Sequence, residues 1–558
     1  MGSSNGSGES TPASASAQNA LGDAFTGSGG IVPVLSGEHD EARFTPITLG
    51  IAGEEDFEVL EGLEVGATVV TGPYRILRDL GEGDAVKRGI WAAGGFPLEF
   101  PTISMCEVFH DISTLIYRNL MAMSTEEMIA STPIHGVVLL STCDKDVPAQ
   151  AMALATVNKP AIIVTGGTRL AGFYEGETVA CSTDTQRFMW EYKAGTIGEA
   201  EMREVEDCGF YNTCGACGVM GTANSVQSMA EAMGLTLPGC ASIPAVYAQR
   251  IHMAEATGVQ IVELVQKDIR PSDILTRAAI ENAIKVLMGT GASTNLVIHL
   301  IAIARRAGVH LTLDDFDRIS KETPFITDVK PCGGCTVEEL YHAGGIVAVM
   351  KELEPLLDTS VMTASGQTMR ENLQGVKVRD PRIIHSLDNP IQPDGGLRIV
   401  RGSLAPDGAV IKTAAASPHL LKHTGPAAVI RHERGPDGRV QGATQEQIDR
   451  DFSEITTDHV IVGRYQGPIG APGMPAVYMF IATTMSLEGL SRPRPGMVVT
   501  LIAVVINSPD TVGPTDSTDE NGTCRPGSTA ARVPVRSITG MLRPRATAMT
   551  FWWRSAYR

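Results

Sequence analysis

Hydrophobic positions change their period several times along the chain. From Ile31 to about Val86, β-branched residues alternate with polar ones (RFTPITLGI, FEVLEGL, ATVVTGPY) between glycines. That alternation predicts a small β module. The module is expected to end in RDLGEGDAV, read as a turn and a last short strand. From Lys87 the texture becomes mixed. Helical spacing is predicted over Thr125–Ala130, Thr222–Met233, Ile274–Met288 and Leu296–Ala307, and strand-length apolar runs over Val137–Leu140 and Ala161–Gly167. Thr312 followed by Asp315 has the form of a capping box opening DDFDRISKE. Helices alternating with buried strands predict an α/β layer architecture. Between 376 and 397 the chain turns to loops rich in Pro, Asp and Gly. LRIVRGSLAP, GAVIKTA and HVIVGRY then predict a smaller, mostly β C-terminal domain. The expected order is a low-complexity stretch (1–30), the β module (31–86), an α/β domain (87–379), a β-rich domain (380–490) and an Arg-rich tail (491–558).

Composition narrows the function classes. A chain of 558 residues with 43% apolar residues can bury a large core. Its longest apolar run, Met497–Ile506, is too short to span a bilayer. No basic segment followed by an apolar one marks a secretory leader, so a cytoplasmic protein is expected. The net charge of −18 argues against nucleic acid and anionic membranes as partners. The tail departs from this balance. It holds nine arginines, no lysine and four acidic residues, shows no sustained period, and reads as a segment foreign to the fold. Ten cysteines in so long a chain are not a disulfide scaffold, and a reducing compartment with some thiols used as ligands fits better.

Candidate chemistry centres on Cys143-Asp144-Lys145. These residues follow the Val137–Leu140 run and precede Pro148, which opens a predicted helix. Ligands gather at the carboxyl ends of strands in open α/β sheets. Thiolate suits a soft metal or an iron–sulfur cluster, and carboxylate suits a hard cation. The alternative is a buried cysteine beside a surface Asp–Lys pair. Cys217 lies in a Gly-rich loop before a predicted helix, where the helix N-terminus favours a thiolate. Cys214 with Cys217, and Cys332 with Cys335, form two C-x-x-C pairs, too far apart in sequence for ordinary zinc-knuckle spacing. Cys106, Cys181, Cys208, Cys240 and Cys524 read as packing residues. Glu107 follows a strand-like segment and could add an oxygen ligand. Ser293, Thr294 and Asn295, at a predicted helix start, could bind a polyol or carboxylate, the alternative being an ordinary helix cap. The Gly467–Pro475 loop is of the rigid, glycine-rich kind that brings backbone close to a ligand.

Two resemblances follow. EVLEGLEVGATVVTGPYRILRDLGEGDAV resembles the C-terminal part of periplasmic efflux adaptor proteins, over about sixty residues and without their hairpin or lipoyl parts. AAGGFPLEFPTIS, STCDKDVP, GACGVMGTANSVQSMAEAMGLTLPG, GASTNLVIHLIAIARRAG, GSLAPDGAVIKTAA and GPIGAPGMP together resemble the dihydroxy-acid dehydratase / phosphogluconate dehydratase family. LIYRNLMAMSTEEM, DILTRAAIENAI and SPHLLKHTGPAAVI are similar to its sugar-acid (aldonate) branch. This resemblance implies loss of water from a 2,3-dihydroxy acid, giving a 2-keto-3-deoxy acid. It implies an iron–sulfur cluster, 2Fe-2S or 4Fe-4S, with Cys143 and Cys217 among its ligands. It also implies Mg²⁺ held by Glu107, Asp144 and Lys145, the lysine carried as a carbamate and counted with the catalytic groups. A homo-oligomer, dimer or tetramer, is implied too. The branched-chain enzyme is the alternative within the family, and a non-catalytic adaptor-like binding protein the alternative outside it.

Four departures from the family pattern predict a weak or inactive member. No cysteine precedes Cys106, so the N-terminal cluster cysteine is missing. Ala476 stands where a metal-binding glutamate follows Met-Pro. No Ser-Gly loop carrying the base serine is recognisable near Ser508. Ala149 replaces a glycine after Pro148.

Overall fold

The computed structural model describes residues 74–105, 114–181, 183–193, 195–403, 405–416, 421–422 and 424–430, with shorter strands at either end. β1 (Gly29–Ser36), β2 (Glu41–Ala52), β3 (Phe57–Glu61) and β4 (Thr68–Val69) form an antiparallel sheet in the order β3-β2-β1-β4. Gly29 faces Thr48 and Ser36 faces Glu41, the register of a direct β1–β2 hairpin.

The predicted strand in RDLGEGDAV is corrected: these residues lie inside helix α1 (Tyr74–Ala92). Packing against the helix Ala248–Lys267 overrides the local turn signals. Ala85 and Val86 are buried with Ala254. Glycine makes the seam possible. A Cβ on Gly89 would stand 2.0 Å from the Glu255 carbonyl oxygen, and one on Gly258 would stand 2.1 Å from that of Val86.

The remainder of the first domain is mostly helical around a thin sheet. β5 (Val137–Ser141) and β6 (Ala161–Thr165) run parallel, Val137 facing Ala161 and Ser141 facing Thr165. Every β6 residue is buried, as a strand covered on both faces must be. Helix α2 (Asp146–Val157) makes the crossover. Its DVPAQAMALATV sequence is rich in good helix formers, it is buried from Asp146 to Leu154, and left-handed Asn158 ends it. Two further helices pack on it: α3 (Thr222–Ala232) and α4 (Asn295–Arg306). The capping box at Thr312 is present, the Thr312 N–H donating to Asp315 Oδ2 at 2.9 Å. No helix among the described residues is long and apolar enough to cross a membrane.

Glu231 on α3 is buried and anchors the next turn by accepting the N–H groups of Gly239 (2.9 Å) and Ala241 (2.7 Å). Burial pushes its carboxyl up to about 7, against the pull of those two donors. Glu231→Gln would turn one acceptor into a donor facing an N–H. A loss of about 1–3 kcal/mol is expected, read by urea unfolding, and an unchanged midpoint would refute the anchoring role.

The C-terminal part is made of short strands. β7 (Arg398–Gly402) pairs antiparallel with β8 (Ala405–Ile411), which pairs in turn with β11 (Val504–Val505), while β9 (Ala427–Ile430) and β10 (Val460–Gly463) run parallel. Val504–Val505, within the stretch read as foreign, thus joins the C-terminal sheet.

Candidate functional site

Strand β5 delivers its load at its carboxyl end. Thr142 follows the strand, Cys143, Asp144 and Lys145 make the loop, and α2 begins at Asp146. The loop is tied from both sides. Gly166 donates its N–H to the Ser141 carbonyl at 3.0 Å. Gln227 of α3 donates to the Thr142 carbonyl (3.2 Å) and accepts the Gly167 N–H (2.8 Å). Gly166 has to be glycine, because a Cβ there would lie 2.0 Å from Thr142 Oγ1.

Asp144 is the hub of the loop. It accepts from Lys145 Nζ at 2.6 Å and from the Cys143 thiol at 3.4 Å. Both side chains of the ion pair are largely buried, Lys145 at 7% and Asp144 at 16% exposure, so water screens the pair poorly. Burial pushes the Cys143 thiol far above its usual range, and the Asp144 and Asp146 charges add to the shift. Asp146 accepts from Ser104 Oγ at 2.8 Å, and burial raises its carboxyl.

Cys217 comes from a second loop, fastened beside the end of β6. Ala216 donates to the Gly167 carbonyl (2.9 Å), and Arg169 donates to the Ala216 carbonyl (2.8 Å). The Cys217 carbonyl accepts from Thr168 Oγ1 at 3.1 Å and from Asn224 Nδ2. Gly167, to which this loop is fastened, is bridged by Gln227 to the Thr142 carbonyl just before Cys143. The two predicted sulfur ligands are therefore neighbours.

A third thiol stands with them. Cys181 is buried at 5% exposure and accepts the Gly218 N–H, next to Cys217, at 3.4 Å. The bond from Cys217 draws Cys181 down to about 7, and the Cys217 thiol rises in consequence, with burial adding to it. Arg169 favours the charged form of both. Sequence reading passed over Cys181 because no spacing links it to the other cysteines.

Ser293 and Asn295 belong to a hydroxyl–amide network. Ser293 Oγ and Thr222 Oγ1 are 2.8 Å apart, Asn295 Nδ2 donates to Thr222 Oγ1 at 2.8 Å, and the Ser293 N–H donates to Ser225 Oγ at 3.0 Å. The network joins the N-termini of α3 and α4, whose dipoles favour negative charge there. Thr294 precedes α4 and makes no side-chain cap. A further group was not anticipated: buried His299 on α4 is held by Arg118, Nη1 to Nδ1 at 2.9 Å. Burial lowers its imidazole well below the usual range, and the charges of Arg118 and Lys145 act in the same direction.

Glu107, the Gly467–Pro475 loop, Ala476 and Ser508 lie outside the described residues. Among the described residues, no three His, Cys, Asp or Glu side chains converge on one point as a single-ion site. The donor set nevertheless matches a multi-iron cluster beside a hard cation. Soft thiols at Cys143, Cys181 and Cys217 suit iron and sulfide, and the Asp144 carboxylate beside Cys143 suits the cation.

Comparison with known proteins gives the same direction. Residues 75–372 match the dihydroxy-acid/6-phosphogluconate dehydratase N-terminal family, and 382–494 match its C-terminal family. The chain is 41% identical to a dihydroxy-acid dehydratase of Acetivibrio thermocellus over 424 residues, covering 75% of this chain and 74% of that one. It is 41% identical to a 6-deoxy-6-sulfo-D-gluconate dehydratase of Pseudomonas putida over 403 residues, covering 72% and 68%. It is 40% identical to a dihydroxy-acid dehydratase of Methanospirillum hungatei over 456 residues, covering 81% and 80%. With both halves matched and relatives of this similarity, the chain belongs to the dihydroxy-acid/6-phosphogluconate dehydratase family of lyases.

Proposed function

We propose that the chain is a hydro-lyase that removes water from a 2,3-dihydroxy acid, of the sugar-acid class, to give a 2-keto-3-deoxy acid. The observation that carries this is the fastening of the Cys143-Asp144-Lys145 loop and the Cys217 loop to the same Gly166–Thr168 segment, through Thr142, Gln227 and Ala216. Cys143 and Cys217 would hold an iron–sulfur cluster, and Asp144 and Glu107, with Lys145 carried as its carbamate, would hold Mg²⁺. When bound, these groups supply a Lewis acid for the departing hydroxyl and an anchor for the substrate carboxylate.

The chain's own residues set the stage. Asp144 and Lys145 stand side by side and largely buried, so the loop holds both side chains in place before substrate arrives. The Thr222, Ser293 and Asn295 network offers hydroxyl and amide groups at two helix N-termini for a polyol and its carboxylate. Slow turnover is expected, because a missing positioned base removes an effect of about 10²–10⁴ in rate.

The test is anaerobic reconstitution with iron, sulfide and Mg²⁺, followed by a 2-keto acid assay on aldonates and on branched-chain dihydroxy acids. Turnover on the branched-chain acids alone would replace the sugar-acid reading. No keto acid from either class would overturn the proposal. The β1–β4 sheet we read as an adaptor-like addition outside the reaction, since the family match begins at residue 75. Removing residues 1–70 is expected to leave iron content and turnover within about twofold. Loss of both would show that the sheet serves the enzyme.

A further inference from the structure

We propose, on the cluster reading above, that Cys181 supplies the third cluster thiolate of this chain. Three observations lead there. The Cys181 sulfur lies against the loop that carries Cys217, and that loop is fastened through Gly167 and Gln227 to Thr142, the residue before Cys143, so the three cysteines are brought to one region. The Cys181 sulfur already accepts a backbone N–H, from Gly218 at 3.4 Å, an interaction that stabilises a thiolate. And Arg169 places a cation where negative charge would accumulate on the pair, its guanidinium held by the carbonyls of Phe210 (2.6 Å) and Gly215 (3.3 Å).

The chemistry needs a third sulfur. Two thiolates hold a cluster poorly, and no cysteine precedes Cys106 in this chain. A single metal ion would require its donors about 2.3 Å from one point, which these residues do not provide. A cluster spreads its iron atoms, so its thiolates surround a volume instead of converging. Cys181 reaches that volume from an unexpected direction. It follows the hairpin formed by Gly172–Tyr174 and Glu177–Val179, and the turn of chain from Ala180 is locked when Asp184 accepts the Ala180 N–H at 2.8 Å. Lys330 pairs with Asp184 at 2.8 Å and holds that turn against the neighbouring loop. Each thiol gives up its proton on binding iron.

The full-length wild type and the variants C143S, C181S, C106S and C240A would be reconstituted anaerobically with ferrous iron and sulfide. Iron and sulfide per chain and visible absorption are the readouts, with thermal melting of the metal-free proteins as the control for folding. Cys240 is the comparison for loss of a buried thiol, since it touches Thr165 and Arg250 and none of the three cysteines. C181S and C143S are expected to hold about tenfold less iron than wild type, with C106S and C240A unchanged. C181A replaces C181S if the serine variant melts early. Full iron in both Cys181 variants, with loss in C143S, overturns this assignment alone. Loss in C106S with full iron in C181S also overturns it and assigns the third ligand to Cys106. Wild type that takes up no iron or sulfide overturns both this assignment and the cluster reading.

Discussion

Asp144→Asn is expected to lower turnover of the iron-loaded protein by about a thousandfold while leaving its iron content unchanged. The substitution keeps the side chain's shape and removes its charge. Asp144 is the only described carboxylate that accepts from both Cys143 and Lys145, at 3.4 and 2.6 Å. Losing it removes the nearest negative charge, 2.6 Å away, from a Lys145 side chain that is 7% exposed. The sulfur side keeps its backbone, and the amide oxygen can still accept from the Cys143 thiol. Iron analysis, Mg²⁺ dependence and a keto-acid assay on one preparation separate these effects. Parallel loss of iron and activity would show that Asp144 holds the loop instead of a cation.

Gly258→Leu is expected to cost about 3 kcal/mol. Intrinsic propensity favours the change, since glycine inside a helix is worse than leucine by about 0.8 kcal/mol. Sterics decide the outcome. A Cβ at Gly258 would sit 2.1 Å from the Val86 carbonyl oxygen, and backbone cannot rotate away as a side chain can. Helix α1 would have to lift from Ala248–Lys267 and expose Ala85, Val86 and Ala254. The displacement reaches the site through Arg250, fully buried on the same helix, which donates to the carbonyls of Thr165 at the end of β6 and of Ile243. Urea unfolding of the metal-free protein gives the cost. A variant as stable as wild type would mean that α1 is not seated on that helix.

Much of the site could be read from the sequence because it is local. The apolar run before Cys143 becomes β5, the Ala-rich segment after it becomes α2, and GTANSVQSMAEA becomes α3 within a residue or two of its predicted span. The capping box at Thr312 depends on two side chains three residues apart, and it forms as written. What stayed hidden is what tertiary packing alone decides. RDLGEGDAV carries turn residues, yet a glycine-lined seam with a distant helix makes it helical. Cys181 sits in VACSTDT with no partner at motif spacing, and only folding brings it to Cys217. His299 reads as one more position on an amphipathic helix until Arg118 is found against it. The Thr222, Ser293 and Asn295 contacts likewise join two helix starts that are 73 residues apart at Asn295 and Thr222.

The fastening of Cys217 to the end of β6 has a consequence for how the protein is made. Thr168 reaches the Cys217 carbonyl across 49 residues, and Gln227 reaches Thr142 across 85. Contacts of such high sequence separation form late, after the entropy of closing long loops has been overcome. The three thiols therefore come together only once most of the first domain has left the ribosome and collapsed. Until then they are separate, reactive groups on an unfinished chain. Slower synthesis at lower temperature, with iron and sulfide supplied throughout, should raise the fraction of molecules that mature with metal.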